Sequence, residues 1–191
     1  MEIDRRQRSV SFPAVLNLSQ GPMEYFLVTA YGKTHESILR TEAPPSDIHV
    51  VMLLLGARDC WTNDPSASRQ STVVNPTGKP VAGGKISLAV SWRAGDKAIT
   101  RAAEELVFNQ ATGSVMASGN WVYNGSLIAD GNFLAQAEGS LVSLITDPVA
   151  LVNYIGPGHD NDRIWTVNTN SLPPANTPLQ VTIKLEERPK K

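Results

Sequence analysis

The sequence predicts one β-rich α+β domain with mostly antiparallel sheet, a central buried helix at about residues 46–55 and one or two further short helices. Three observations support this prediction. The chain has 191 residues, 41% of them hydrophobic, which is enough for one domain with a real core. Its 14 glycines and 13 prolines favour many turns between short elements. Several segments also alternate apolar and polar residues, as half-buried strands do.

The N-terminal part is predicted to form three strands. Apolar and polar residues alternate over 8–18, where Pro13 indicates an edge strand. Residues 23–30 are mostly apolar or aromatic and predict a more fully buried strand. Residues 34–42 are expected to return beside it as a third strand.

The predicted helix follows the Pro44-Pro45 pair. Ser46 is a suitable N-cap, Asp47 places an acid in the first turn, and Gly56 is a suitable C-terminal stop. Residues 50–55 are all Val, Met or Leu, which makes the helix apolar all round. A helix of this kind is expected to be buried at the centre of the domain.

The C-terminal part continues the β pattern without an internal repeat or a convincing linker, so residues 1–191 are predicted to form a single domain. The predicted elements are a strand at 85–93, a hairpin turn at 94–97, a returning strand at 98–102, a helical turn at 103–109, strands at 133–137 and 139–146, a short helix from Asp147 to about Asn153, a closing strand at 179–185 and a flexible tail at 186–191.

Composition argues against several function classes. Seventeen basic and eighteen acidic residues give a formal charge of −1. A nucleic-acid binder is expected to carry a net positive charge that attracts phosphate, so this class is not favoured. The single cysteine, Cys60, has no partner for an intramolecular disulfide or a thiolate metal cage. The longest apolar run is far shorter than the roughly 20 residues of a membrane span, so no transmembrane segment is expected, and the chain as given shows no signal peptide.

A metal or small-ligand site is one functional hypothesis. Imidazole and carboxylate ligands suit zinc, iron or nickel, and two histidines flank the double-proline corner with carboxylates close in sequence. The candidate residues are His35, Glu36, Asp47 and His49, with Glu42 nearby. On a strand, however, His35 and Glu36 would point to opposite faces. The alternative is that His35 bonds to neighbouring backbone and His49 packs against the sheet.

The loop at residues 158–162 is a second, weaker candidate for cation binding. His159, Asp160 and Asp162 could supply ligands, although the segment lacks the spacing of a calcium loop. A solvated turn is the alternative.

Hydrolysis is the least favoured hypothesis. Ser37 or Ser46 would need a histidine base and a carboxylate, and the Gly-x-Ser-x-Gly signature of a nucleophile is missing. The preferred hypothesis is a non-catalytic interaction module, in which aromatic residues such as Trp61 and Trp165 could anchor a partner.

Several phrases of the sequence together resemble the bacterial YdjY-type domain, over nearly the whole chain. They are Gly-Lys-Thr-His-Glu-Ser-Ile-Leu from Gly32, Asp-Ile-His before the apolar helix, Trp-Val-Tyr-Asn-Gly-Ser from Trp121, Ala-Glu-Gly-Ser-Leu-Val-Ser-Leu-Ile from Ala137 ahead of Asp147-Pro148, and Leu-Pro-Pro-Ala-Asn-Thr-Pro-Leu-Gln-Val from Leu172. The resemblance implies an exported or lipoprotein-type envelope protein, hence a periplasmic location and a protein partner in the envelope. It implies no established activity. Some members carry cysteine-rich iron–sulfur segments, but with one cysteine this chain is expected to hold no such cluster.

Overall fold

The computed structural model describes residues 1–58, 81–175 and 177–186. These ranges contain fifteen strands, two α-helices and three 3₁₀ turns. The strands are β1 (Glu2–Asp4), β2 (Ser9–Leu16), β3 (Tyr25–Thr29), β4 (Ser37–Thr41), β5 (Gly84–Ala94), β6 (Lys97–Ala102), β7 (Val107–Asn109), β8 (Ser114–Val115), β9 (Trp121–Tyr123), β10 (Ile128–Ala129), β11 (Asn132–Phe133), β12 (Ser140–Ser143), β13 (Val152–Tyr154), β14 (Trp165–Val167) and β15 (Leu179–Leu185). The helices are α1 (Pro45–Leu54) and α2 (Leu134–Glu138), and the 3₁₀ turns span Thr34–Glu36, Ala103–Leu106 and Thr169–Ser171. Cys60, Trp61 and residues 187–191 lie outside the described ranges.

Eight of the described strands close into a barrel in the order β2, β15, β5, β9, β13, β12, β3, β4 and back to β2. The closing pairs are Val15 with Arg40 and Leu16 with Leu39. Neighbouring strands are antiparallel except for the parallel pairs β3–β4 and β12–β13. The β-rich prediction is confirmed.

Side chains of the strands themselves fill the barrel. Along β5, Ile86, Leu88 and Val90 are buried while the residues between them are more exposed, as the alternating pattern predicted. Strand β15 pairs with β5 so that Val181 lies opposite Val90. An eight-stranded barrel is just wide enough for its own inward side chains. Its interior therefore has no room for a helix.

The central buried helix is the part of the predicted fold that was wrong. Helix α1 occupies nearly the predicted residues, but it lies across one end of the barrel. It contacts β2, and its His49 contacts Tyr123 of β9, three strands further round the barrel order. One face, including Ile48 and Met52, is fully buried, whereas Leu54 is 80% exposed. The barrel excludes the helix, so apolar residues on one face of the helix remain exposed to solvent.

The ends of α1 differ partly from the prediction. Ser46 is not the N-cap, because the helix starts at Pro45 and its cap position is Pro44. The backbone N–H of Ser46 instead donates to Oε1 of Gln136 on α2 at 3.2 Å. The C-terminal stop was correct: Gly56 has a φ of 86°, a conformation that glycine adopts without strain.

Pro13 illustrates a prediction that holds locally and fails for the strand as a whole. Strand β2 is paired on both sides, with β15 along one edge and with β1 and then β4 along the other. Pro13 lies between the β1 and β4 pairings, and its carbonyl accepts a hydrogen bond from Oγ1 of Thr41 at 2.6 Å. Proline has no backbone N–H, and at this position neither β1 nor β4 needs a hydrogen bond from one.

Two elements of the C-terminal part were assigned wrongly. Residues 134–138 form helix α2 instead of a strand, and Gly139 ends it with a φ of 71°. The helix expected from Asp147 is a turn, in which Oδ1 of Asp147 accepts from the N–H of Val149 at 2.9 Å. An Asp side chain that bonds the backbone two residues on favours a turn over a helix.

The segment that connects the parallel strands β3 and β4 is unusually short. Residues 30–36 bring the chain back along the barrel, where parallel strands normally need a dozen or more connecting residues. This connecting segment packs directly on the backbone at the end of α2. A Cβ on Gly32 would lie 2.9 Å from the carbonyl oxygen of Gly139, and a Cβ on Gly139 would collide with Oγ1 of Thr29 at 2.1 Å.

Substitution of Gly139 by Ala is therefore expected to destabilise the protein strongly. The new Cβ combines the strain of positive φ, about 1–2 kcal/mol, with a clash worth about 1–3 kcal/mol. Gly131→Ala is the matched control, because Gly131 has a φ of 77° and open space around it. Urea denaturation should give a loss of about 2–5 kcal/mol for Gly139→Ala and about 1–2 kcal/mol for Gly131→Ala. Equal losses would show that the close packing contributes nothing.

Candidate functional site

His35 and Glu36 lie in the 3₁₀ turn just before β4, and not on a strand. The turn brings their side chains to the same side, and Nε2 of His35 is 3.7 Å from Oε2 of Glu36. The expectation that these side chains point apart was therefore wrong, because it assumed strand geometry. The His35 side chain is 79% exposed and faces solvent.

His49 lies on the flank of α1 and packs against the barrel. Its Nδ1 is 2.6 Å from the hydroxyl of Tyr123, and its ring centroid is 4.9 Å from that of Phe133. This packing is the role that we considered as the alternative to metal ligation.

Strand β4 separates the two histidines, because His35 precedes it and His49 follows it. Strand β4, with five residues at about 3.3 Å each, and the first turn of α1 lie between them in the chain. Asp47 is exposed in the first turn of α1. Among the described residues, no three His, Cys, Asp or Glu side chains are grouped so that they could hold a metal ion. A metal at His35 or His49 stays a prediction.

The loop at 158–162 is held to the barrel through its histidine. Nδ1 of His159 is 2.8 Å from Oγ1 of Thr146, and the backbone N–H of Thr146 donates to the carbonyl of His159 at 2.7 Å. Asp160 and Asp162 are exposed. The histidine thus fixes the loop, and the two carboxylates face solvent.

The two serines considered for hydrolysis have local partners. Ser37 is fully buried, and its hydroxyl donates to the carbonyl of Leu39 at 2.8 Å. The hydroxyl of Ser46 is 3.4 Å from Oδ1 of Asp47. Ser37 therefore helps to shape β4 from within the protein.

A cluster of Tyr25, Lys33 and Asp147, here called the Tyr25 cluster, was not predicted from the sequence. The Tyr25 hydroxyl donates to Oδ2 of Asp147 at 2.9 Å and accepts from Nζ of Lys33 at 2.7 Å. Nζ of Lys33 also lies 4.7 Å from the centroid of the Tyr25 ring. No sequence pattern predicted this cluster, because Tyr25 resembles a core aromatic residue and Asp147 lies 122 residues away in the chain.

The electrostatics of the cluster keep its phenol protonated. Burial, followed by the neighbouring Asp147 carboxylate, raises the pKa of Tyr25 above its usual range. The neutral hydroxyl can therefore donate to Asp147 while it accepts from Lys33. The arrangement connects the turn before β4 to the segment after β12, and it does not poise Tyr25 as a base.

Three carboxylates gather beside the cluster at the start of β3. Burial, followed by the charges of Glu36 and Asp162, raises the pKa of Glu24. Lys33 and His35 act in the opposite direction, since positive charges favour the ionised carboxylate. The barrel thus brings two predicted site residues, Glu36 and Asp162, near Glu24.

Two buried asparagines hold the Asp147 segment. Nδ2 of Asn153 donates to the Asp147 carbonyl at 2.8 Å, and its Oδ1 accepts from the Asp147 N–H at 2.7 Å. Nδ2 of Asn153 is also 2.9 Å from Oδ1 of Asn124, whose own Nδ2 donates to the carbonyl of Ala150 at 2.7 Å. The phrase around Trp121 and the Asp147-Pro148 pair are therefore parts of one buried polar network.

The outer face of α1 was not expected from the prediction of a buried helix. It comprises Ser46, Asp47, Val50, Leu53 and Leu54, which share one side of the helix at spacings of three and four residues. Val50 is 54% exposed, Leu53 39% and Leu54 80%. The α1 outer face is thus an apolar stripe with Asp47 at its N-terminal end.

The model of the YdjY domain matches residues 1–184. This chain belongs to the YdjY family. The match spans the whole barrel, including both parallel pairings and helix α1. No curated protein and no solved structure matches the chain significantly. None of the described helices is long and apolar enough to cross a membrane.

Removal of the Tyr25 hydroxyl is expected to destabilise the YdjY domain. Tyr25→Phe leaves Asp147 and Lys33 without their shared partner, which should cost about 1–3 kcal/mol in urea denaturation. Ser143→Ala is the control, because its hydroxyl is buried beside Tyr25 and finds no hydrogen-bond partner among the described residues. Its loss should change stability by less than about 0.5 kcal/mol or increase it. An effect of Tyr25→Phe as small as that of the control would contradict the bridging role.

Replacement of Glu24 by Gln is expected to stabilise the protein at neutral pH. Because the pKa of Glu24 is raised on folding, ionisation disfavours the folded state, and wild-type stability falls as pH rises through and above 4.5. The gain at pH 7 should stay below about 1 kcal/mol, since solvent screens a carboxylate that is only partly buried. Urea denaturation at pH 7 and pH 3.5 should show a gain at the first pH that vanishes at the second. An equal gain in stability at the two pH values would show that packing, and not the charge of Glu24, causes it.

Proposed function

We propose that this chain is a non-catalytic interaction module of the bacterial cell envelope, and that a protein partner docks on the α1 outer face. One observation carries the proposal. Helix α1, apolar throughout residues 50–54, leaves Val50, Leu53 and Leu54 exposed on one side.

Exposure of this stripe is a cost that binding would remove. A single exposed leucine is ordinary, because much of any protein surface is apolar. Three large apolar side chains on adjoining turns form one patch, and patches of this kind mark interaction sites. Full burial of an exposed Val or Leu side chain is worth about 1.5–3 kcal/mol. Since these three side chains are 39–80% exposed, contact with a partner can gain a part of that for each of them.

The surroundings of the patch suit a protein partner. Exposed Asp47 at one end provides the polar rim that interfaces have. The near-neutral charge of the chain argues against nucleic acid. The envelope location rests on the family alone, whose members resemble exported or lipoprotein-type proteins. Fractionation of cells that express the native gene tests that location.

Site-specific photo-crosslinking in the native host tests the docking surface. A photoreactive residue at position 54 should give one discrete adduct, and the captured protein, once identified and purified, should bind wild type at least about tenfold more tightly than Leu54→Asp. Because Leu54 is 80% exposed, the variant should keep its fold by circular dichroism.

A photoreactive residue at position 115 is the matched control. Val115 is 44% exposed on β8 and is equally apolar, but it lies away from α1. Adducts of the same mass from both positions, or unchanged affinity for Leu54→Asp, would rule out the α1 outer face as the docking surface.

A further inference from the structure

The two ends of the α1 outer face carry opposite charges. Asp47 is exposed in the first turn of the helix. At the other end, Nε of Arg8 donates to the carbonyl of Leu55 at 3.1 Å and its terminal nitrogen Nη2 donates to that of Gly56 at 3.3 Å. Arg58, just beyond, is exposed. The helix therefore presents an apolar stripe with an acidic start and a basic end.

These charges lie beyond the two ends of the stripe. Asp47 precedes Val50 by three residues on the helix, and the Arg8 guanidinium bonds the carbonyls of Leu55 and Gly56, which directly follow Leu54. If a second helix of the same sequence lies antiparallel on this face, Val50 and Leu54 of each copy meet near the two-fold axis. Asp47 of each copy then comes near Arg8 of the other, and the helix dipoles are also antiparallel.

We propose that the partner on the α1 outer face is a second copy of this chain, packed through α1 against α1 about a two-fold axis. This inference rests on the proposed docking function and names its occupant. A surface that complements itself in both charge and apolarity is what an isologous dimer requires. The formal charge of −1 gives no long-range repulsion between copies.

The size of the surface sets the strength of the dimer. The exposed parts of three side chains fall short of the roughly 800 Å² that each partner contributes to a standard interface. The dimer is therefore weak, with a dissociation constant in the micromolar range or above, and it forms at high local concentration.

Sedimentation velocity of the full chain over a range of concentrations tests the proposal. Wild type should pass from monomer to dimer, and Leu54→Asp should stay monomeric. Asp47→Arg should weaken the dimer by about 2- to 30-fold, because it removes two exposed ion pairs per dimer.

Asp96→Arg is the matched control, since it makes the same charge change in the exposed hairpin turn between β5 and β6. A wild type that is monomeric at all concentrations, a dimer unaffected by Leu54→Asp, or an Asp47→Arg variant no weaker than Asp96→Arg would each overturn the proposal. An adduct from position 54 that contains a different polypeptide, together with a monomeric wild type, would overturn the dimer and leave the docking function standing.

Discussion

Closure of the sheet is the constraint on which the rest of this structure depends. Two residue pairs, Val15 with Arg40 and Leu16 with Leu39, join β2 to β4 and turn an open sheet into a barrel. Closure needs β4 to lie parallel to β3 after a return of only seven residues. This short connection needs glycine at positions 32 and 139, because side chains on Gly32 and Gly139 would collide with the neighbouring backbone and with Thr29. A few close contacts thus secure the topology.

The barrel also decides where the remaining elements can go. Its interior is filled by strand residues such as Leu88 and Val181, so helix α1 is held at one end with a single face buried. The exposed apolar stripe follows from this exclusion, and it is the basis of the interaction that we propose. The small sheet of β14, β7 and β8 is joined to the same core, where Trp165 meets Tyr154 edge to face at 5.5 Å.

Polar side chains have a different role from the apolar core: they hold one segment in place against the barrel. The Tyr25 cluster and the pair Asn124 and Asn153 fix the Asp147 segment against the barrel through hydrogen bonds between distant parts of the chain. Buried polar groups that satisfy one another favour a single arrangement over its competitors. Three of these residues, Lys33, Asn124 and Asp147, lie in the phrases by which the sequence resembles the YdjY family, so those phrases include residues with a structural role.

The sequence by itself determined the local features of this protein. Apolar alternation located the strands at 85–93 and 179–185, and the double proline and Gly56 located helix α1, because these signals depend on neighbours along the chain. It also revealed the family. Only the tertiary structure decided that the sheet closes, that α1 lies outside it, and that His35 faces solvent in a 3₁₀ turn while His49 packs against Tyr123. Those features depend on pairings between residues far apart in the chain, such as Leu16 with Leu39 and Tyr25 with Asp147, which no local pattern encodes.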